Sequence, residues 1–219
     1  MKRLPHLFAS LVLLALVGCA TAPSEPRNLD WSKAEIRDYV KSGRYQGDIV
    51  AVAAKADAWL VERASHRAAG ERTAVVFDLD ETLLSNWPFM LEADLGGSDA
   101  AWDAWLSSAK STSIEPIGEV YRTARRLGLE IYFITGRHER LRAATQRNLR
   151  AVDCIVSSAL IMKPNDAKET AAAFKTAVRA RLTSQGAVIV GNLGDQASDL
   201  AGGYAERTFK LPDPFYFTP

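Results

Sequence analysis

The chain has 219 residues, 47% of them apolar and 24% charged, the balance of an ordinary globular protein; a disordered, collagen-like or polytopic membrane chain is excluded. Its 27 basic and 26 acidic residues nearly cancel, so no basic field exists to gather a nucleic-acid polymer. Two cysteines are too few for a disulfide framework or a cysteine zinc module.

Lys2 and Arg3 precede an apolar run over residues 7–17, broken only by Ser10. That run is too short to cross a bilayer, which needs about 20 residues, and has the build of a secretory signal over residues 1–18. Leu16-Val17-Gly18-Cys19 resembles a bacterial lipobox, in which the cysteine is lipidated and becomes the first mature residue. The other reading is a plain signal cut near Ala20 or Ala22. Ala20 after the cysteine implies, by the same resemblance, an outer-membrane lipoprotein of a bacterial cell envelope, facing the periplasm or the surface. Residues 19–28, with Pro23, Ser24 and Pro26, read as a lipidated tether. As a random coil it reaches about 17 Å, so the body is anchored to a membrane at Cys19 without spanning it.

Residues 29–219 read as one domain, long enough to bury roughly 70% of its unfolded surface. Ser32-Lys33-Ala34-Glu35 is a capping-box pattern and Gly43 a helix stop. A second helix is expected from about Gly47 to near Gly70, with Ile49, Val52, Ala56, Trp59, Leu60 and Arg63 at helical spacing. The period then changes. Residues 73–77 are continuously apolar, as a strand covered on both faces requires, and similar runs recur at 130–135, 155–162 and 187–191. Helical stretches at 117–127, 138–149 and 167–182 lie between them. This alternation predicts a parallel sheet with helices on both faces, and ligands beyond the carboxyl ends of its strands. Cys154, in an apolar run, reads as a small buried hydrophobe.

Three of those strand ends carry polar groups. Asp78-Leu79-Asp80-Glu81-Thr82 follows the first strand, and an extended continuation would set Asp78 and Asp80 on one side. Thr135-Gly136-Arg137 follows the second, at an expected helix start. Gly194-Asp195 and, four residues on, Asp199 follow the fourth. Each alone has an ordinary explanation as a cap, a turn or solvated acids. Their occurrence in order at successive strand ends is what points to chemistry.

Together with FDLDETLLSNWP (77–88), GNLGDQASDL (191–200) and FKLPDPFY (209–216), these motifs resemble the haloacid dehalogenase-like superfamily. Within it they resemble the subfamily IIIB acid phosphatases, the branch of plant acid phosphatases, vegetative storage proteins and bacterial lipoprotein acid phosphatases. The resemblance covers about residues 31–219. It implies an α/β fold with a doubly wound, mainly parallel, Rossmann-like sheet, helices on both faces and a small helical cap inserted at about 86–115. It implies a Mg²⁺-dependent acid phosphatase acting on small phosphomonoesters. Asp78 would be the nucleophile that forms an aspartyl-phosphate, and Asp80 the general acid and then the general base. A carboxylate about 4 Å from a phosphate dianion is repelled by roughly 8 kcal/mol at an effective dielectric of 20, which a divalent cation can offset. Hard oxygen ligands and few histidines suit Mg²⁺ over zinc. By resemblance the metal falls to the Asp78 carboxylate, the Asp80 carbonyl and the Asp195 carboxylate, with Asp199 holding ligands or the lysine in place. Thr135 and the Gly136 amide would donate to phosphate oxygens at a helix amino terminus. Arg137 would contact substrate or pair with an acid. Lys175 would be the active lysine, with Lys163 the alternative; otherwise Lys175 is solvated surface like Arg179. Glu81 is expected to start or cap a helix. Trp102 and Trp105 share a helical face, Trp105 packing the cap onto the body, and Trp87 or Phe89 lines the leaving-group pocket. Other readings are a 5′-nucleotidase of the same fold, phosphotransfer to alcohols, or a non-catalytic storage or binding relative. The presence of Asp78, Asp80, Asp195 and Asp199 argues against the last.

Overall fold

The computed structural model describes residues 25–155 and 158–218. The expected leader, Cys19 and the first part of the tether lie outside those residues; residues 25–28 are exposed and without regular structure. Among the described residues no helix is long and apolar enough to cross a membrane.

The apolar run after Arg72 forms β1 (Arg72–Phe77), the middle strand of a five-stranded sheet. β4 (Glu130–His138) and β6 (Ala187–Gly194) flank it, and β5 (Ala159–Lys163) and β7 (Thr208–Lys210) form the edges. Every pairing in this sheet is parallel. Alternation along β1 feeds two cores. Val75 and Phe77 pack with Ile49 and Leu60 of α2 (Arg44–Ser65) and Ile117 and Tyr121 of α5 (Glu115–Arg126). Ala74 and Val76 pack on the other face with Phe174, Val178 and Leu182 of α7 (Ala171–Ser184). Burying each large apolar side chain contributes about 1.5–3 kcal/mol, so a strand apolar on both faces is fixed at the centre. Cys154 is buried in the first core, where desolvation pushes its thiol up to about 11.

Several boundaries differ from the sequence expectation. α1 (Leu29–Lys41) starts before the expected capping box, because the Asn28 side chain accepts from the Asp30 N–H at 2.9 Å. α2 starts at Arg44, behind Gly43 at φ +82°, and stops at Ser65. α6 (Arg142–Ala151) begins only after a 3₁₀ turn at Glu139–Leu141, because β4 runs on to His138. Thr170, whose hydroxyl accepts from the Ala173 N–H at 3.2 Å, starts α7 later than Asp166. β7 was not expected at all; it is three residues long and only Phe209 is buried in it. Between β1 and α5 the chain forms α3 (Trp87–Glu92) and α4 (Asp99–Ser108). A two-stranded antiparallel ladder of β2 (Leu84–Ser85) and β3 (Thr112–Ser113) brackets them.

Candidate active site

β1 delivers Asp78, whose N–H still donates to the Leu193 carbonyl at 3.0 Å. The chain then turns sharply. The Leu79 carbonyl accepts from the N–H groups of Leu83 and Leu84 at 2.9 and 2.8 Å, and Glu81 takes the left-handed region at φ +52°. The next helix, α3, begins only at Trp87, after β2, so Glu81 does not start it. Its carboxylate is buried and accepts from the Asn86 N–H at 2.6 Å and from Asn86 Nδ2 at 2.9 Å. Burial, and next the charge of Asp80, push the Glu81 carboxyl well above its ordinary value against the Asn86 donors.

α7 seats its apolar face on the sheet and brings Lys175 under the strand ends. Lys175 Nζ donates to Asp78 Oδ1 at 2.5 Å and to Asp199 Oδ1 at 2.6 Å. Burial disfavours the ammonium, but the two carboxylates outweigh it and raise its pKa. Lys163 instead gives its ammonium to the Glu169 carbonyl at 2.6 Å, so of the two candidate lysines it is Lys175 that meets the acids. Arg179, expected as solvated surface, is fully buried. Its guanidinium donates to the carbonyls of Asp199 at 2.6 Å, Gly203 at 3.1 Å and Ala201.

Beyond β6, Asp195 Oδ1 accepts from Thr82 Oγ1 at 2.9 Å and Oδ2 from Gln196 Nε2 at 2.8 Å. Asp199, in the short α8 (Ala197–Leu200), accepts the Gln196 N–H at 2.8 Å. Oxygens of Asp78, Asp195 and Asp199 all lie within 4.8 Å of one another, and all three residues are buried. Desolvation first, then the neighbouring carboxylates, push Asp78 and Asp195 well above the ordinary range. Lys175 opposes this at Asp78, and Gln196 at Asp195. Asp78 and Asp199 share the Lys175 ammonium, Asp195 stands beside them without a cationic partner among the described residues, and the cluster offers hard oxygens without a histidine or cysteine. Its charge and chemistry fit a small divalent cation.

Asp80 has a different environment. Arg137 donates from Nη2 to its Oδ1 at 2.6 Å and from Nε to its Oδ2 at 2.9 Å; Asn86 Nδ2 donates at 2.8 Å. Burial raises the Asp80 pKa, but the Arg137 charge and these hydrogen bonds outweigh it and hold the carboxyl below its ordinary value. Of the two readings of Arg137 from sequence, contact with substrate or pairing with an acid, the structure shows the second: it pairs with Asp80, with Nη1 to Thr145 Oγ1 at 3.3 Å. Thr135 is buried and its Oγ1 accepts from the Arg137 N–H at 3.1 Å, which leaves the hydroxyl hydrogen to donate elsewhere. The expected helix amino terminus at this point is corrected. Pairing jumps from Thr135–Met162 to His138–Lys163, so Gly136, which is exposed, and Arg137, which is buried, form a bulge in β4.

A cavity of about 760 Å³ opens over these groups, with Asp78, Asp80, Lys175, Asp195 and Asp199 among its lining residues. Phe89, Trp102 and Tyr216 also line it, with Trp102 5.3 Å from Phe89 and 6.4 Å from Tyr216 between ring centroids. Of the pair Trp87 and Phe89, it is Phe89 that reaches the cavity; Trp87 packs on Phe215 at 5.3 Å. Trp105 packs against the core and donates its indole N–H to Asn86 Oδ1 at 2.8 Å. Asn86, Gln196, Arg179 and Tyr216 were not singled out from sequence. Only Arg179 carried a signal, four residues and so one helical turn beyond Lys175.

A family model described as HAD superfamily, subfamily IIIB (acid phosphatase), matches residues 14–219. Vegetative storage protein 1 of Arabidopsis thaliana is 35% identical over 192 residues, 85% of this chain and 70% of that one. Acid phosphatase 1 of Solanum lycopersicum is 35% identical over 151 residues, 67% of this chain and 59% of that one. These relatives are plant proteins, which overturns the bacterial outer-membrane location expected from the amino terminus. A basic-then-apolar leader is common to secretory signals in general, so that pattern did not specify the destination. Among solved structures, the class C acid phosphatase from Bacillus anthracis matches with a TM-score of 0.71 at 21% identity, over 85% of this chain and 86% of that one, a likeness of fold.

Proposed function

Because the chain belongs to subfamily IIIB of the HAD superfamily, the acid phosphatases, we propose that it hydrolyses small phosphomonoesters through a phosphoryl group carried on Asp78. The observation that carries this is the convergence of the Asp78 carboxylate, the Lys175 ammonium and the Asp195 and Asp199 carboxylates on one cavity. Asp78, Asp195 and the Asp80 carbonyl would hold a divalent cation such as Mg²⁺, with Asp199 beside them. When bound, that cation would screen the repulsion between the Asp78 carboxylate and the phosphate dianion.

The Asp78 carboxylate attacks phosphorus, and the ester P–O bond breaks with its electron pair leaving on the alcohol oxygen. Asp80 gives that oxygen a proton. Asp80, now a carboxylate, takes a proton from water as the water oxygen attacks the same phosphorus. The bond to Asp78 breaks and phosphate leaves. Arg137 and Asn86 favour the carboxylate form of Asp80, the form that the second step needs; the proton given in the first step is one that Asp80 takes up as the phosphate dianion binds beside it. Lys175 offsets charge on Asp78, while the Thr135 hydroxyl and the Gly136 amide would donate to phosphate oxygens. The aromatic wall of Phe89, Trp102 and Tyr216 favours esters with a flat leaving group. That observation keeps the narrower reading, a nucleotidase, in play.

The test is phosphate release from aryl, nucleoside and alkyl phosphates, with Mg²⁺ and with chelator, beside Asp78→Asn. Release is expected to need the metal and to fall by at least about a thousandfold in Asp78→Asn. Equal release in chelator or from the variant would overturn the reading. No release from any ester by the native chain would favour a storage or binding role.

A further inference from the structure

Asn86 is fully buried where the cap meets the β1 turn, and the mechanism above gives it no step of its own. Its Oδ1 accepts from Trp105 Nε1 at 2.8 Å and from Ser111 Oγ at 2.7 Å. Its Nδ2 donates to Asp80 Oδ1 at 2.8 Å and to Glu81 Oε2 at 2.9 Å. Two acceptances and two donations fill the capacity of the amide. They also fix its orientation, since a flip would face the amide nitrogen with an indole N–H and the amide oxygen with carboxylates.

The contacts continue into a closed ring. The Ser111 backbone is held by Asn148 of α6, which accepts the Ser111 N–H at 3.2 Å and donates to the Ser111 carbonyl at 2.6 Å. One turn earlier on α6, Thr145 accepts from Arg137, and Arg137 grips Asp80. Asp80 is thus held from two flanks, by Arg137 on one and by Asn86 on the other. Asn86 is itself set by Trp105 of α4 and by Ser111.

We propose that Asn86 is a positioning residue for Asp80, through which the seating of α4 fixes the orientation of the carboxylate that handles protons. The inference rests on the role proposed above for Asp80. Without Asn86 the Oδ1 flank loses a donor, and the carboxylate is free to rotate further toward Arg137. A misplacement of about 1 Å in a reacting group can lower a rate on the order of a hundredfold.

Two variants test this: Asn86→Ala, and Trp105→Phe, which keeps an aromatic ring and removes the indole donor. Each is assayed on an aryl phosphate, whose phenolate departs with little help, and on an alkyl phosphate, whose alkoxide needs a proton. The expected result is a fall in kcat/KM, which reports the step that releases the alcohol, of about tenfold or more on the alkyl ester and several-fold less on the aryl ester. Hydrogen exchange of the Trp105 indole proton is expected to quicken in Asn86→Ala. Equal losses on both esters, or no loss, would overturn the proposal. If Asn86→Ala does not fold, Trp105→Phe decides alone. Failure of the parent reading shows separately, as native protein that releases no phosphate or Asp78→Asn that releases it freely.

Discussion

Gly194 is the residue at which the acid cluster has no room to spare. A Cβ placed there would meet Asp199 Cβ at 2.4 Å and Asp199 Oδ2 at 2.6 Å. Asp199 can accept both the Gln196 N–H and the Lys175 ammonium because position 194 has no side chain in its way. Gly194→Ala is therefore expected to displace Asp199 from Lys175 and lower phosphate release by about tenfold or more. It is also expected to cost about 1–3 kcal/mol of stability, the usual range for overpacking. A release assay run beside a thermal melt checks both. A variant with native activity and native melting would show that Asp199 need not sit where it does. Lys175 shows the same economy: its ammonium is the cation that Asp78 and Asp199 share, so its contribution belongs to the cluster and not to one pair.

At the scale of elements, what could be read from sequence follows from periodicity. β1 is apolar on both faces because helices cover both, so residues 73–77 announce a central strand without any tertiary information. Acids at the ends of β1 and β6 then fall at neighbouring strand mouths, since those two strands pair. Lys175 could be placed by resemblance and by its distance along the chain from Asp195. The β4 bulge could not, because Thr135-Gly136-Arg137 reads alike as a helix start and as a break in a ladder. The choice is made by Met162 and Lys163 of β5, far away in the chain. Asn86 and Gln196 have no period to betray them. Their amides matter through partners 19 to 25 residues away in the chain for Asn86 (Trp105, Ser111) and 17 to 22 for Gln196 (Asp213, Tyr216, Thr218). The short β7 was invisible because one buried residue in three carries no pattern.

For the molecule as a whole, the site sets how stability responds to pH. Asp78, Glu81 and Asp195 have folded pKa values above their ordinary ones, so the folded chain binds their protons more readily than the unfolded chain does. Stability from these groups falls as pH rises from the ordinary carboxylate range, about 4, through the raised values. Asp80 acts in the opposite sense: its contribution is present above about pH 4 and lost as pH falls through its depressed value. Asp80 is ionised in the folded and the unfolded chain above about pH 5 and so adds no slope there, and protein in chelator is expected to melt higher near about pH 5.5 than near about pH 7.5. Excess Mg²⁺, which needs ionised ligands, is expected to narrow that gap from the alkaline side. Melts at both pH values, with chelator and with Mg²⁺, check this; equal melting in chelator at the two would contradict it. The whole account turns on where phosphorus is held between the two halves of the reaction. The measurement that addresses this most directly is an acid quench during turnover of an aryl phosphate, followed by peptide mass spectrometry. A phosphoryl group on Asp78 is the expected result. A phosphoryl group on any other side chain would contradict the account.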